Sequence, residues 1–567
     1  NSNNNTNNIP NVMSLSSIED KEEDVDENMG MPSAEEKKHF ITESKFADLP
    51  ISDESKRGIA QVLKYEYMTK VQEETLPEIM KGIDCLAKAK TGTGKTLGFL
   101  IPTIEKLMSL KLSNHNYIHN DGVTALCLSP TRELASQIQT EAEALSTFHK
   151  LNIVCIIGGT NINKDINRMK NKKVDLLIAT PGRLNDHLAN TPGFASRCKD
   201  IKVLIMDEAD QLLEMGFKPE IDKILTYMPP KNERQTLLFS ATVPPTVRAI
   251  ADNALGKGYA LVDTVGEEAE QTHAHVPQSI TVLPLEEQIA GIASIISKFT
   301  QSKRYKIIVF FTTARVTGYM SELFNTMGLP CPVLEIHSRK SQSQRTKTSD
   351  EFRKPGNKIM FSSDVSARGM DYPDVTHVLQ VGLTEREQYI HRLGRTARAG
   401  KTGQGHLLLA PFEEHEMRKL LKDMKLIVVN KDDLNLDSFT SMTTNSLSNV
   451  DNNSNLKDSA SKAYGAWLGF YNGNLKKCGW DKPNLVQQAN FYATTLGLSE
   501  QPALEKKTIG KMGLKGVPGL KIGDSGNGGR GGGGRGGGGG GRGGGGARVG
   551  GRGGGGGGEG GGESRRG

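Results

Sequence analysis

The feature that most restricts how this chain can fold is a rhythm of short apolar runs separated by amphipathic stretches, played twice. From about Phe46 to Pro244 the runs are Thr124-Ala-Leu-Cys-Leu, Asn152-Ile-Val-Cys-Ile-Ile, Val174-Asp-Leu-Leu-Ile-Ala, Lys202-Val-Leu-Ile-Met and Thr236-Leu-Leu-Phe. Runs this short and this apolar suit strands buried on both faces, which is the condition of a parallel sheet covered by crossover helices. A polar stretch beginning Gly266-Glu-Glu-Ala-Glu-Gln-Thr-His breaks the pattern, which resumes with Lys306-Ile-Ile-Val-Phe-Phe, Lys358-Ile-Met-Phe, Thr376-His-Val-Leu-Gln-Val and His406-Leu-Leu-Leu. The expectation is two α/β domains, residues 42–265 and 278–411, joined by a linker at 266–277.

Beyond Pro411 the period changes. Met417, Leu420, Leu421 and Met424 fall at helical spacing, so a mainly α-helical extension is expected over 412–523, with the Asn/Ser-rich stretch Thr443 to Ser461 as a loop. Its aromatics Tyr464, Trp467, Phe470, Tyr471, Trp480, Phe491 and Tyr492 are read as the bulk of a small core in preference to a stacking platform. The ends cannot bury a core. Residues 1–41 are acidic and Asn-rich, and 524–567 hold 29 of the 64 glycines, punctuated by arginines from Arg530 to Arg566, so both are expected to be disordered. The net charge of +6 is modest for this length, and the two arms carry opposite signs. Six dispersed cysteines with no C-x-x-C pair read as buried thiols in a reducing compartment. No run approaches the roughly 18 apolar residues of a bilayer span, so no membrane partner is expected. The chain starts at Asn1, which leaves room for an upstream targeting segment.

Chemistry enters with Ala89-Lys-Thr-Gly-Thr-Gly-Lys-Thr96, between the apolar stretch Ile83-Asp-Cys-Leu-Ala and the apolar run Leu97-Gly-Phe-Leu-Ile. This is a phosphate-loop pattern with Ala89 in place of the first glycine. Amides of Thr91, Gly92, Thr93 and Gly94 would cradle phosphates at a helix N-terminus, Lys95 would reach the β and γ oxygens, and Thr96 would ligate Mg2+. Downstream, Val203-Leu-Ile-Met206 runs into Asp207-Glu-Ala-Asp210, setting carboxylates at the carboxyl end of a strand. Asp207 is suited to hold Mg2+ through water, and Glu208 to orient or deprotonate the attacking water. Near the end of the second repeat, Arg392, Arg395 and Arg398 are spaced at threes. That domain lacks a complete phosphate loop of its own, so Arg395 and Arg398 are assigned to the γ-phosphate across the cleft, and Arg392 is left unassigned.

Together with Gln72 in Thr69-Lys-Val-Gln, Pro130-Thr-Arg-Glu-Leu-Ala135, Gly158-Gly159, Thr180-Pro-Gly-Arg183, Ser240-Ala-Thr242, Gln342-Ser-Gln-Arg345, Ser363 to Asp371 and His391 to Arg398, these motifs make residues 42–411 resemble a DEAD-box ATP-dependent RNA helicase. The resemblance implies two tandem RecA-like domains that bind ATP and Mg2+ and unwind short RNA duplexes locally. It implies adenine selection by Gln72 with Tyr65 stacked on the base, and Asp371 at the ribose. RNA contacts would come from Arg132, Gly159, Thr180 and Arg183 in the first domain and Thr312, Arg339 and Ser363 in the second, with Ser240 and Thr242 coupling hydrolysis to RNA. Lys64 stands where a glycine is common, Met68 and Lys70 replace prolines, and Ser363 replaces threonine while keeping the hydroxyl. The segment Pro502 to Leu520 is similar to the C-terminal extension of fungal mitochondrial DEAD-box RNA chaperones. This implies a role on group I and group II intron RNA in the mitochondrial matrix, with a nuclear branch as the alternative, and a monomer as the default state. An ATP-gated RNA clamp or annealing protein is the competing reading, and the glycine-arginine tail would serve as a salt-sensitive RNA tether.

Overall fold

The structure is a computed structural model that describes residues 41–90, 92–113, 122–170, 172–265, 276–366, 370, 372–397 and 402–523. The acidic arm, linker residues 266–275 and the glycine-rich tail lie outside the described residues, as do Thr91, Asp371 and Arg398.

A short antiparallel pair, β1 (Ile41–Lys45) and β2 (Tyr67–Thr69), opens the fold. The first repeat then supplies β3 (Cys85–Lys88), β4 (Val123–Leu128), β5 (Ile153–Ile156), β6 (Val174–Ala179), β7 (Val203–Met206), β8 (Gln235–Ser240) and β9 (Ala260–Asp263). They form one parallel sheet in the order β5-β6-β4-β7-β8-β3-β9. The second repeat supplies β10 (Gln278–Val282), β11 (Lys306–Phe310), β12 (Val333–Ile336), β13 (Lys358–Ser362), β14 (His377–Val381), β15 (Gln404–Leu409) and β16 (Leu426–Val428). Their order, β12-β13-β11-β14-β15-β10-β16, repeats the plan. Strands such as β4 and β11 are buried at every position, as helices on both faces require.

Three features depart from expectation. The second sheet does not end at residue 411, because β16 pairs in parallel with β10 beyond the helix Pro411–Leu420. The Asn/Ser-rich stretch is helical except at 449–453, since Asp437–Ser448 and Ser454–Asn472 are both helices. Composition argued for a loop, but Leu456 and Ala460 fall one turn apart and are buried, and Asn453 caps the second helix by accepting from the Asn455 and Leu456 amides. The extension also shares its core with the second domain: Trp467, Tyr464 and Tyr492 pack in one cluster with Tyr319, Leu323 and Ile292. Tyr319 donates to the Leu496 carbonyl, so a polar bond pins that seam. Tyr464, Trp467, Tyr471 and Tyr492 are buried as expected of core residues, while Phe491 is exposed.

Lys64 closes a short helical turn with φ of 59°, the left-handed region, which explains why glycine suits this position. Lys64→Gly is expected to raise the stability of the first domain by about 0.5–1 kcal/mol, read as a higher unfolding midpoint in calorimetry. An unchanged midpoint would mean the left-handed turn is unstrained.

Candidate functional site

The carboxyl ends of β3 and β7 carry the two acidic and basic ends of one buried cluster. The helix Lys95–Ser113 starts directly after the phosphate loop, and Lys95 Nζ lies 3.0 Å from Glu208 Oε1, with both side chains almost fully buried. Burial alone would depress the Lys95 pKa, but the carboxylates of Glu208, Asp207 and Asp210 outweigh it and hold the ammonium above its usual value. Burial, then the neighbouring Glu208, pushes the Asp207 carboxyl up to about 7 against the pull of Lys95. Glu208 sits at φ 48°, an unusual conformation for a non-glycine residue, and its Oε2 is buried with no hydrogen-bond partner among the described residues. Two buried carboxylates facing one lysine leave room for more positive charge, which fits Mg2+ held by Thr96 and, through water, Asp207. Magnesium keeps several waters and few protein ligands, so a compact protein cage is not required.

Gln72 is buried at the first turn of the helix Lys70–Met80. Its Oε1 accepts from the Thr69 amide at 2.8 Å, and its Nε2 donates to the Gly94 carbonyl at 2.9 Å. Gly94 has φ of 87°, and a Cβ there would stand 2.5 Å from Gln72 Nε2. The base-side helix and the phosphate loop are therefore locked together at a position only glycine fits. Tyr65 is 54% exposed.

Asp210, to which the sequence reading gave no role, joins the acidic tetrapeptide to Ser240-Ala-Thr242. Its amide donates to Ser240 Oγ at 3.1 Å, and its Oδ2 accepts from the Thr242 amide at 3.0 Å and the Thr242 hydroxyl at 2.9 Å. Ser240 and Thr242 are thus tied to the strand end that bears Glu208. Arg395 is buried and donates to the Met370 and His391 carbonyls. Arg392, left unassigned above, is paired through Nε and Nη2 with Asp364.

The expected RNA contacts gather at strand ends of both domains. The Arg132 guanidinium lies against Gly158 and Gly159. Thr180 directly precedes the helix Pro181–Asn190, and Arg183 is held by Asp165 at 3.0 Å and by the Thr160 hydroxyl at 2.9 Å, so it braces the Gly158-Gly159 loop. Thr312 follows β11, and Ser363 follows β13 with its amide on the Ile336 carbonyl. The Arg339 amide donates to the His337 ring. Thr312 lines a cleft of about 890 Å³ between the domains, together with Lys88 and Thr242 from the first and Phe470 and Lys477 from the extension. A second contact between domains went unassigned in the sequence: Glu133 receives Gln342 Nε2 at 2.9 Å and Arg345 Nη2 at 2.6 Å, in a site where all three side chains are buried. The signal was present in Pro130-Thr-Arg-Glu-Leu-Ala135 and Gln342-Ser-Gln-Arg345, but nothing local pairs them.

Comparisons with known proteins agree with this geometry. The DEAD/DEAH box helicase family matches residues 69–250, and the helicase conserved C-terminal domain matches 288–400. DEAD-box ATP-dependent RNA helicase 26 of Oryza sativa subsp. japonica is 47% identical over 85% of this chain and 87% of its own length. DEAD-box ATP-dependent RNA helicase 25 of Arabidopsis thaliana is 43% identical over 85% of this chain and 84% of its own. The solved structure of the DEAD-box helicase Mss116 bound to ssRNA and UDP-BeF superposes with a TM-score of 0.72 at 27% identity, covering 85% of this chain and 98% of that one. By sequence, motif order and fold, the chain belongs to the DEAD-box ATP-dependent RNA helicases, enzymes that bind ATP with Mg2+ and hydrolyse it in response to RNA.

Proposed function

We propose that this enzyme works locally and without translocation, closing its two domains on ATP and one RNA strand and bending that strand so that its partner falls away. The observation that carries the reading is the buried Glu133–Arg345 pair, which joins the first domain's helix beginning at Arg132 to the second domain directly. Lys95 and Thr96 would hold the nucleotide, Glu208 would take a proton from the attacking water, and Arg395 with Arg398 would meet the γ-phosphate. Contacts from Arg132, Thr180, Thr312 and Ser363 to the sugar-phosphate backbone would make recognition tolerant of base sequence. The likeness to Mss116 covers the helical extension as well as the core. We infer further, from the resemblance of Pro502 to Leu520 to the extension of fungal mitochondrial DEAD-box RNA chaperones, a general RNA chaperone acting as a monomer on structured RNAs such as group I and II introns, in the mitochondrial matrix or, alternatively, the nucleus. The glycine-arginine tail would tether neighbouring RNA.

Steady-state ATP hydrolysis with and without RNA, with duplex DNA as control, tests the central step beside strand separation on duplexes of increasing length. Stimulation by RNA alone and unwinding that fails as the duplex lengthens are expected. Nucleotide and RNA binding without stimulated turnover would favour the ATP-gated clamp, and length-independent unwinding would mean translocation.

A further inference from the structure

Glu413 belongs to none of the motifs above, yet its carboxyl group is enclosed at the seam between the second domain and the helical extension. Its Oε2 accepts from the Ala410 amide at 2.8 Å, at the start of its own helix. Its Oε1 accepts from the Leu383 amide at 2.9 Å and from the Tyr471 hydroxyl. Leu383 lies in the loop after β14, and Tyr471 near the end of the helix Ser454–Asn472. One carboxyl therefore fastens three segments. Enclosing such a group is costly unless donors surround it, and apolar packing alone would hold the seam without fixing its register.

The fastened loop borders the interdomain cleft, which Thr312, Leu383 and Thr384 all line. Gly382 has φ of 87°, and a Cβ there would stand 2.8 Å from Thr312 Cγ2 and 3.3 Å from Glu413 Oε1. At Gly382 the loop backbone thus packs against both Thr312 and the Glu413–Tyr471 pair. Lys477 pairs with Glu385 at the exposed rim, where an ion pair contributes little.

We propose that Tyr471 is a positioning residue for RNA: through Glu413 it holds the 382–385 loop, and with it Thr312, where the second domain grips the strand. This rests on the reading that RNA lies across the cleft. The Lys95–Glu208 cluster lies in the first domain, and Arg395 is held by the Met370 and His391 carbonyls apart from the Glu413 hydrogen bonds, so turnover at saturating RNA should survive.

The test is Tyr471→Phe in the full chain, which keeps the ring and its apolar packing. Loss of one buried hydrogen bond should raise the RNA concentration for half-maximal ATPase about fivefold to tenfold, with kcat at saturating RNA within about twofold. Hydrogen exchange at the Leu383 amide should quicken in the same variant. Half-saturation within about twofold of wild type would overturn the proposal, as would an equal rise in Ile509→Ala, a core variant with no part in the Glu413 hydrogen bonds, at matched loss of Tm. Thr312→Ala separates the two readings. If it weakens RNA binding while Tyr471→Phe does not, the positioning role fails and the cleft reading survives; if neither does, both fail.

Discussion

Glu208→Gln is expected to leave ATP binding intact and to lower hydrolysis at saturating RNA by about 10²–10⁴-fold, the range typical of a lost general base. The substitution keeps the size of the side chain and leaves an oxygen to accept from Lys95, which now stands 3.0 Å away. What it removes is the capacity to take a proton, and the oxygen that would do so is Oε2, buried with no partner among the described residues. The environment supports the assignment: Lys95 is held charged beside it by the surrounding carboxylates. Single-turnover hydrolysis and nucleotide titration, run side by side, separate the two effects. Turnover near the wild-type rate would place the base elsewhere.

Arg345→Ala should act on closure instead of chemistry. Removing one partner of a buried ion pair typically costs roughly 3–5 kcal/mol, because the other is left enclosed without compensation. In this chain Glu133 regains water as soon as the domains part, so the cost falls on the closed state alone. The expected result is a fall of about 10²–10³-fold in kcat/KM for RNA-stimulated hydrolysis, with the slow RNA-independent rate little changed. Glu133→Ala should do similar harm, and the double variant should lose much less than the sum, since the two side chains form one contact. Additive losses would show that the pair does not act as a unit in closure.

The chemistry was legible because its geometry is local. Ala89 to Thr96 is one loop, and Asp207-Glu208 is one strand end; short-range spacing dictates where their atoms go, and Lys95 and Glu208 meet across the end of β8, which separates β7 from β3 in the parallel sheet. The strands were legible for a similar reason, since a run buried on both faces has to be apolar throughout. Expectations failed where a residue's fate is set by something distant. The Asn/Ser-rich stretch reads as a loop by composition but is helical because Leu456 and Ala460 are covered by the second domain's core. A three-residue edge strand such as β16 carries too short a pattern to announce itself.

The chain's own order of residues determined two parallel-sheet domains, the nucleotide loop, its acidic partner and the family to which they belong. Only the tertiary structure decided that Asp210 bridges to Thr242, that Glu133 meets Arg345 from 212 residues away, and that Glu413 joins Tyr471 to the loop at Leu383. Hydrogen bonds and ion pairs are short-ranged in space and indifferent to separation along the chain, so a sequence can name both partners without saying that they touch.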